Sequence, residues 1–373
     1  MRLIPAALIA VAFLQAPLHA AQGTCNGVPG TVLTVGKSGG TYDFTDIQSA
    51  VNSARGAVML TSNWCINVDS STYSEQVTVS SLTFTYSTNT FIIQSDPALV
   101  STNATVNAPA ASTAAFLVQN TSVTINNINV LATNSVPYGV YGSSGYVTLS
   151  SVNVDSGGRI YFAGIAVSSY SSVGYSSVTV GGAYAYYTEG TLNTFFNSIA
   201  LSTGAAGRSV YLNGASSNTF TLFLSSKTSG QSFDLIGAGY NSITLSTIAA
   251  YSNNGGALNI FTGSSSNTIS RSFIYALGGG GVLMLTGSNY NTVSQSTIVI
   301  NNATNSAVRL GNTSSSASFN TITRSYLQNP SGYILRLMSN SDFNTISLST
   351  LVTSNNLDQG DVILETASSD NTI

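Results

Sequence analysis

Outside its first 19 residues this chain of 373 contains no histidine. The lone His19 follows "MRLIPAALIAVAFLQAPL", in which one Arg precedes an apolar run that ends near Leu14, with Ala20 and Ala21 just beyond. That order reads as a secretory signal over residues 1–21, removed near Ala20 or Ala21. Cleavage would leave a mature chain without imidazole, which excludes Ser-His-Asp and Cys-His machinery, a histidine base and a histidine metal ligand. Charge is scarce as well: only 6% of residues are Asp, Glu, Lys or Arg, and the net balance is −3. Without a basic stripe to neutralise phosphates, nucleic acid is not an expected partner. No apolar run reaches the ~18 residues of a spanning helix, so no transmembrane segment is expected. With two cysteines and no histidine, a zinc site is not expected and no cofactor is called for. In an exported chain Cys25 and Cys65 pair as a disulfide or stand as two free thiols.

Ser, Thr, Asn and Gly supply the polarity instead, and they recur in a pattern. Asn followed by Thr or Ser and then an apolar residue stands at Asn193, Asn218, Asn241, Asn267, Asn291, Asn320, Asn344 and Asn371, spaced 23 to 29 residues apart. Each unit holds short stretches in which apolar and polar residues alternate, broken by Gly, Asn and Ser. A period of two with no helix-length run means three short strands per unit, one face of each buried. The fold class that follows is all-β: a single-stranded right-handed parallel β-helix of about 13 coils, occupying residues 22–373. Regular coils are expected over residues 190–373 and looser ones before. One Asn per coil at a fixed place predicts a column of stacked amides, each donating to the next. The Asn is also expected to take the left-handed backbone of the bend.

An open solenoid end exposes strand edges and core, so a cap is required, expected within residues 31–60. "DFTDIQSAVNSA" fits an amphipathic helix with Phe44, Ile47, Val51 and Ala54 on one side and a Thr45–Gln48 capping box. At the other end the chain stops at "SSDNTI", in phase with a new coil. The expectation there is a continuation or a partner that covers Ile373.

"TVGKSGGTYDFTDIQSAVNSA", followed by "INVDSSTYSEQVTV" and "FIIQSD", resembles the opening of pectin methylesterases and related pectin-lyase-like β-helix proteins. Lys37, Gly39, Asp43, Phe44, Thr45, Ile47, Gln48, Ala50, Val51, Tyr73, Glu75 and Val77 carry the likeness, over roughly residues 34–96. The later Asn-Thr-Ile coils look more like the β-helix repeat proteins of bacterial periplasm and surface. The resemblance implies the fold, and implies esterase activity only where the site matches. Those enzymes use two carboxylates, an Arg and two Gln in the motifs Gln-Asp-Thr, Asp-Phe-Ile-Phe-Gly and Gly-Arg-Pro-Trp, none of which occurs here. Asp155 in "NVDSGGR", Arg159, and Asp234 in "SFDLIG" are faint counterparts. Polygalacturonase chemistry needs a Gly-His-Gly histidine. A pectate-lyase Ca²⁺ site would have to use Asp358, Asp361 and Glu365.

The favoured reading is therefore a secreted, periplasmic or surface β-helix with a structural, adhesive or glycan-contacting role and no catalysis. The alternative is a divergent pectin-methylesterase-like or pectate-lyase-like enzyme. For contact with an acidic polysaccharide, aligned coils place Asn259, Met284, Arg309 and Arg336 in one outward column. Arg271, Gln295 and Arg324 form a second.

Overall fold

Alternating inward and outward residues, with a sharp bend every few positions, wind this chain into a stacked coil. The computed structural model describes residues 30–37, 41–56, 59–60, 62–96, 103–253, 255–353, 362–365 and 368–373. One coil shows the scheme: strands Phe233–Ile236, Ser242–Thr244 and Thr247–Ala250 form its first, second and third faces. Left-handed backbone at Gly237, Tyr240 and Leu245 makes the bends between them. Each strand pairs in parallel and in register with its equivalent one coil on. First and second faces share a 23-stranded sheet, and the third forms a sheet of 12 strands, one per coil. The solenoid thus has about twelve turns rather than 13. The difference lies at the front, where a cap takes residues that a uniform repeat would assign to a coil.

Inward positions fill one continuous core from Val35 to Ile346. Like side chains stack: Phe195 lies on Phe220 at 4.5 Å with rings 7° apart. Each fully buried Ile, Leu or Phe stabilises the stack by about 1.5–3 kcal/mol.

The predicted amide column is present from Asn218 to Asn344; Asn193 and Asn371 join it only through main-chain N–H bonds, Asn193 N to Asn218 Oδ1 at 2.9 Å and Asn344 N to Asn371 Oδ1 at 2.8 Å. Nδ2 of Asn218 donates to Oδ1 of Asn241 at 3.0 Å, Asn241 to Asn267 at 2.9 Å, and Asn267 to Asn291 at 2.9 Å. Asn291 donates to Asn320 at 3.1 Å and Asn320 to Asn344 at 3.2 Å. The same Oδ1 atoms also accept main-chain N–H groups, as Asn267 does from Asn241 at 2.9 Å. One expectation is corrected: the left-handed residue is the one before each Asn, such as Tyr240, Tyr290, Phe319 and Phe343. Each such side chain costs roughly 1–2 kcal/mol of backbone strain, which the buried amide bonds offset. A second ladder, of serines, runs along the next bend. The N–H of Ser246 donates to Ser272 Oγ, Ser272 to Ser296 and Ser296 to Ser325, each at 3.2 Å.

The capping helix is Ile47–Gly56, and it buries Ile47, Ala50, Val51 and Ala54. The Thr45–Gln48 box does not form. Asp46 Oδ1 accepts from Ser49 N at 2.7 Å, and Glu75 takes the N–H groups of Ile47 and Gln48 at 2.9 and 2.8 Å. Gln48 instead accepts from Thr78 N at 2.5 Å and donates to Asn52 Oδ1 one turn further along the helix at 3.0 Å. A carboxylate brought by the neighbouring coil outcompetes the local hydroxyl, because its charge complements the helix N-terminus. Tyr73 is buried and donates to Asp69, while Lys37 Nζ donates to Thr72 O at 2.6 Å. Lys37, Ile47, Gln48, Ala50, Val51, Tyr73 and Glu75, which carry the family resemblance, thus build the cap, while Gly39 lies outside the described residues. Cys65 is disulfide-bonded; Cys25 and residues 1–21 lie outside the described residues. Among the described residues no helix is long and apolar enough to cross a membrane.

Lys227 occupies an inward position of the third face, in register with Ser202 and Ala250. Its Nζ donates to Ser202 Oγ at 2.8 Å and to the carbonyls of Gly204 and Ala206 at 2.5 and 2.8 Å. Burial, and then Arg208, push its pKa down to about 8 from 10.5. The unfolded chain therefore holds this proton more tightly than the folded one between those values, so stability contributed here grows with pH across that window. The stability of the wild type relative to Lys227→Met is expected to rise from pH 8 to pH 10.5, read by urea unfolding. A difference that stays flat or declines would refute the assignment.

Candidate functional site

On the first face, outward residues form one column through consecutive coils. It runs Tyr141, Ala166, Tyr187, Tyr211, Asp234, Asn259, Leu283, Arg309 and Arg336. The column expected from sequence is therefore right at Asn259, Arg309 and Arg336 and wrong at Met284. Met284 points inward, fully buried, in register with Leu310, and Leu283 takes the outward place. A slip of one residue in a strand exchanges its two sides, and the run "GGGGVLML" offers no polar residue to reveal the phase.

The early half of this face is aromatic. Tyr138 stacks on Tyr141 at 4.1 Å and 10°, and Phe162 meets Tyr138 and Tyr187 edge-on at 5.2 and 5.0 Å. Tyr184 stacks on Tyr211 at 4.7 Å, and Tyr187 lies nearly parallel to Tyr211 at 5.8 Å. All six rings are half-buried, each with part of its surface open to solvent. Four of them, Tyr138, Tyr141, Phe162 and Tyr187, line a cleft of about 440 Å³ whose other walls include Ser168, Ser169 and Glu189. The Tyr187 hydroxyl donates to Glu189, and Asn213 Nδ2 donates to the same carboxylate at 2.9 Å. Burial first, and then the hydrogen bond to Glu189, raise the Tyr187 pKa, so the phenol stays a neutral donor.

Beyond Tyr211 the column becomes ionic and closed. Arg208 Nε meets Asp234 Oδ2 at 2.5 Å, and Asn259 Nδ2 donates to Asp234 Oδ1 at 2.6 Å. Burial raises the Asp234 pKa, while Arg208 opposes the shift. Asp234 is only 1% exposed, so a ligand lying on the surface would not reach its carboxylate. Further on, Arg336 places its guanidinium on Glu365, with Nε at 3.0 Å from Oε1, and lies over the Tyr333 ring at 4.9 Å. The neutralisation that the paired arginines require is thus supplied within the chain. Arg309 Nε is buried without a partner, and burial with neighbouring Arg336 lowers its pKa.

The remaining expected site residues are scattered. Asp155 lies on the third face, exposed, where its Oδ1 accepts from Gly157 N at 3.0 Å in a turn. Arg159 is exposed in the segment that follows. Asp234 sits on the first face several coils later, so Asp155, Arg159 and Asp234 do not meet. Arg271 donates to Gln295 at 3.2 Å, and Arg324 continues that exposed column along a bend. Asp358 and Asp361 lie outside the described residues, and among the described residues no group of three or more His, Cys, Asp or Glu side chains is placed to hold a metal ion. The six rings and Glu189 were missed by sequence reasoning. The available signal was composition: ten of the nineteen tyrosines fall between Tyr138 and Tyr211.

The stacked parallel coils with their three faces match known proteins in fold. The fold is the one shared by right-handed parallel β-helix proteins. The A-module of mannuronan C-5 epimerase AlgE4 from Azotobacter vinelandii superposes with a TM-score of 0.52 at 10% identity, over 88% of this chain and 94% of that one. The Dettilon tailspike protein gives 0.59 at 13% identity, over 90% and 68%. DFA-IIIase from Arthrobacter chlorophenolicus A6, solved with DFA-III, gives 0.54 at 14% identity, over 88% of each chain. No family model and no curated protein sequence matches the chain. These likenesses describe the fold; the site residues stand on their own geometry.

Proposed function

We propose that this protein is an exported β-helix that holds a glycan along its first face, with the Tyr138–Tyr211 cleft as the principal contact. The cleft carries the reading. Aromatic rings offer flat apolar surfaces to the C–H faces of sugar rings, while Glu189, Asn213 and the tyrosine hydroxyls provide acceptors and donors for sugar hydroxyls. A concave, largely apolar wall with a few convergent polar groups is the usual form of a small-ligand site. Structural neighbours described as a mannuronan epimerase and as DFA-IIIase in complex with DFA-III support a carbohydrate ligand for this fold. Glu189 favours a neutral sugar, because it would repel a polyanion. Hydrolysis is not part of the proposal: Glu189 is exposed, but Asp234, the carboxylate further along the column, is sealed by Arg208 and Asn259.

A second reading rests on Arg309, a half-buried guanidinium with no carboxylate of its own among the described residues, whose charge an acidic polymer further along the same column would neutralise. Affinity electrophoresis in gels containing neutral glucan, fructan or polygalacturonate at low and high salt separates the two. Retardation by a neutral polymer, unchanged by salt, is the expected result. Retardation by polygalacturonate alone, lost in salt and in Arg309→Ala, would replace the cleft with the arginine column. Passage through every gel unretarded would refute both readings.

A further inference from the structure

The second face of the solenoid presents a two-dimensional grid of hydroxyl groups that neither the core nor the cleft uses. The first outward residue of its strands forms a column in register from Thr124 to Thr372, in which every residue is Thr except Ser172 and Ser242. Two residues on, a parallel column holds Thr221, Thr244, Ser270, Ser294, Thr323 and Ser347. Over these six coils both outward side chains of each strand are hydroxyls, with Arg271, Gln295 and Arg324 at the bend that follows and Tyr290, Phe319 and Phe343 at the bend before. Coils repeat at ~4.8 Å, and alternate residues of one strand lie ~6.6 Å apart. The side chains are half-buried or exposed, so their outer surfaces meet solvent.

The grid is rigid for three reasons. Threonine is branched at Cβ and restricted in χ1, so its methyl and hydroxyl hold fixed directions. Each strand is bracketed by the two ladders, as Thr292–Ser294 is by Asn291 and Ser296, which bond to the adjacent coils. Side-chain ladders of this sort also keep a stacked sheet flat over many strands.

A surface periodic in two directions is matched over its whole area only by a partner periodic in two directions, which is the face of a crystal. The chemistry selects the crystal. Sugar surfaces call for aromatic rings set beside carboxylate or amide forks, as in the cleft; the two hydroxyl columns have neither, and the stacked rings of Tyr290, Phe319 and Phe343 at their edge have no carboxylate or amide fork between them. Uncharged hydroxyls and methyls, repeated at spacings of the same order as the oxygen repeats of hexagonal ice, suit ordered water. We infer that the second face binds ice.

The test is inhibition of ice recrystallisation by the purified protein, with thermal hysteresis as a second reading. The wild type is expected to arrest crystal growth at micromolar concentration. Thr292→Tyr, which raises a ring in the middle of the grid, is expected to require at least tenfold more protein. Thr297→Tyr is the control: it lies on the third face in register with Phe273 and Tyr326, so a ring fits there, and inhibition should be unchanged. Should Thr292→Tyr fail to fold by circular dichroism, Thr292→Val and Thr321→Val remove hydroxyls at nearly constant shape and are together expected to cost severalfold. Wild-type crystal growth no slower than with serum albumin would overturn the inference, as would equal losses in Thr297→Tyr and Thr292→Tyr. So would a protein that sediments with microcrystalline cellulose, loses that property in Thr292→Tyr and leaves ice unaffected.

Discussion

Asn291→Ala is expected to lower the free energy of unfolding by about 3–6 kcal/mol. The Asn291 amide makes five bonds. It accepts from Asn267 N and Nδ2 at 3.0 and 2.9 Å, and donates to Ser264 O, Asn289 O and Asn320 Oδ1 at 3.0, 3.2 and 3.1 Å. Asn291 is fully buried, so water does not replace those partners without opening the corner. Each buried donor or acceptor left unsatisfied costs about 1–3 kcal/mol, and the N–H and amide of Asn267 are the first to be stranded. Asn291→Asp is expected to be worse, because the carboxylate cannot donate to the three oxygens and brings a buried charge. Asn291→Ser should recover part of the loss: at the equivalent corner Ser171 Oγ accepts from Val147 N at 3.2 Å. Urea denaturation followed by circular dichroism measures the series. An Asn291→Ala protein within 1 kcal/mol of wild type would show that the ladder does not hold the coils together.

The second large effect concerns the cleft. Tyr187→Ala with Tyr211→Ala is expected to weaken neutral oligosaccharide binding by at least 100-fold, about 2.8 kcal/mol. The two rings are nearly parallel at 5.8 Å, and Tyr187 also orients Glu189 through its hydroxyl. Removing both takes away a sugar platform and the fixed acceptor beside it. Stability should change little, because both rings are half-exposed on the outer face. Tyr187→Phe separates the contributions: it keeps the platform, leaves Glu189 held by Asn213 alone, and is expected to cost about tenfold, or 1.4 kcal/mol. Isothermal titration with a panel of neutral oligosaccharides reads all three variants. If the double variant binds as the wild type does, the ligand lies elsewhere.

Much of this architecture was legible from residue order. Alternation places Ile243, Ile269 and Val293 inward at the second face, and the structure buries each of them. The recurring Asn-Thr-Ile marks the corner and its amide ladder. Both signals are local, a period of two within a strand and a fixed residue at each bend, so they survive without knowledge of the neighbours. The serine ladder was equally available in "NTISRS" and "NTITRS", five residues after each Asn, although its bonding becomes visible only with the coils stacked.

Other features depend on which residues stacking brings together. Glu75 caps a helix that begins 28 residues earlier, a pairing no local capping rule anticipates. Leu283, not Met284, faces outward because the neighbouring strands set the register. The aromatic face around the cleft draws Tyr138, Phe162, Tyr184 and Tyr211 from four successive coils, each an unremarked tyrosine or phenylalanine in its own strand. Sequence by itself determined the coil, the core and the corner ladders, since each rests on interactions repeated identically from one turn to the next. Only the tertiary structure decided where the faces differ, because a site that breaks the repeat is made by residues distant in the chain and adjacent only after the coils stack.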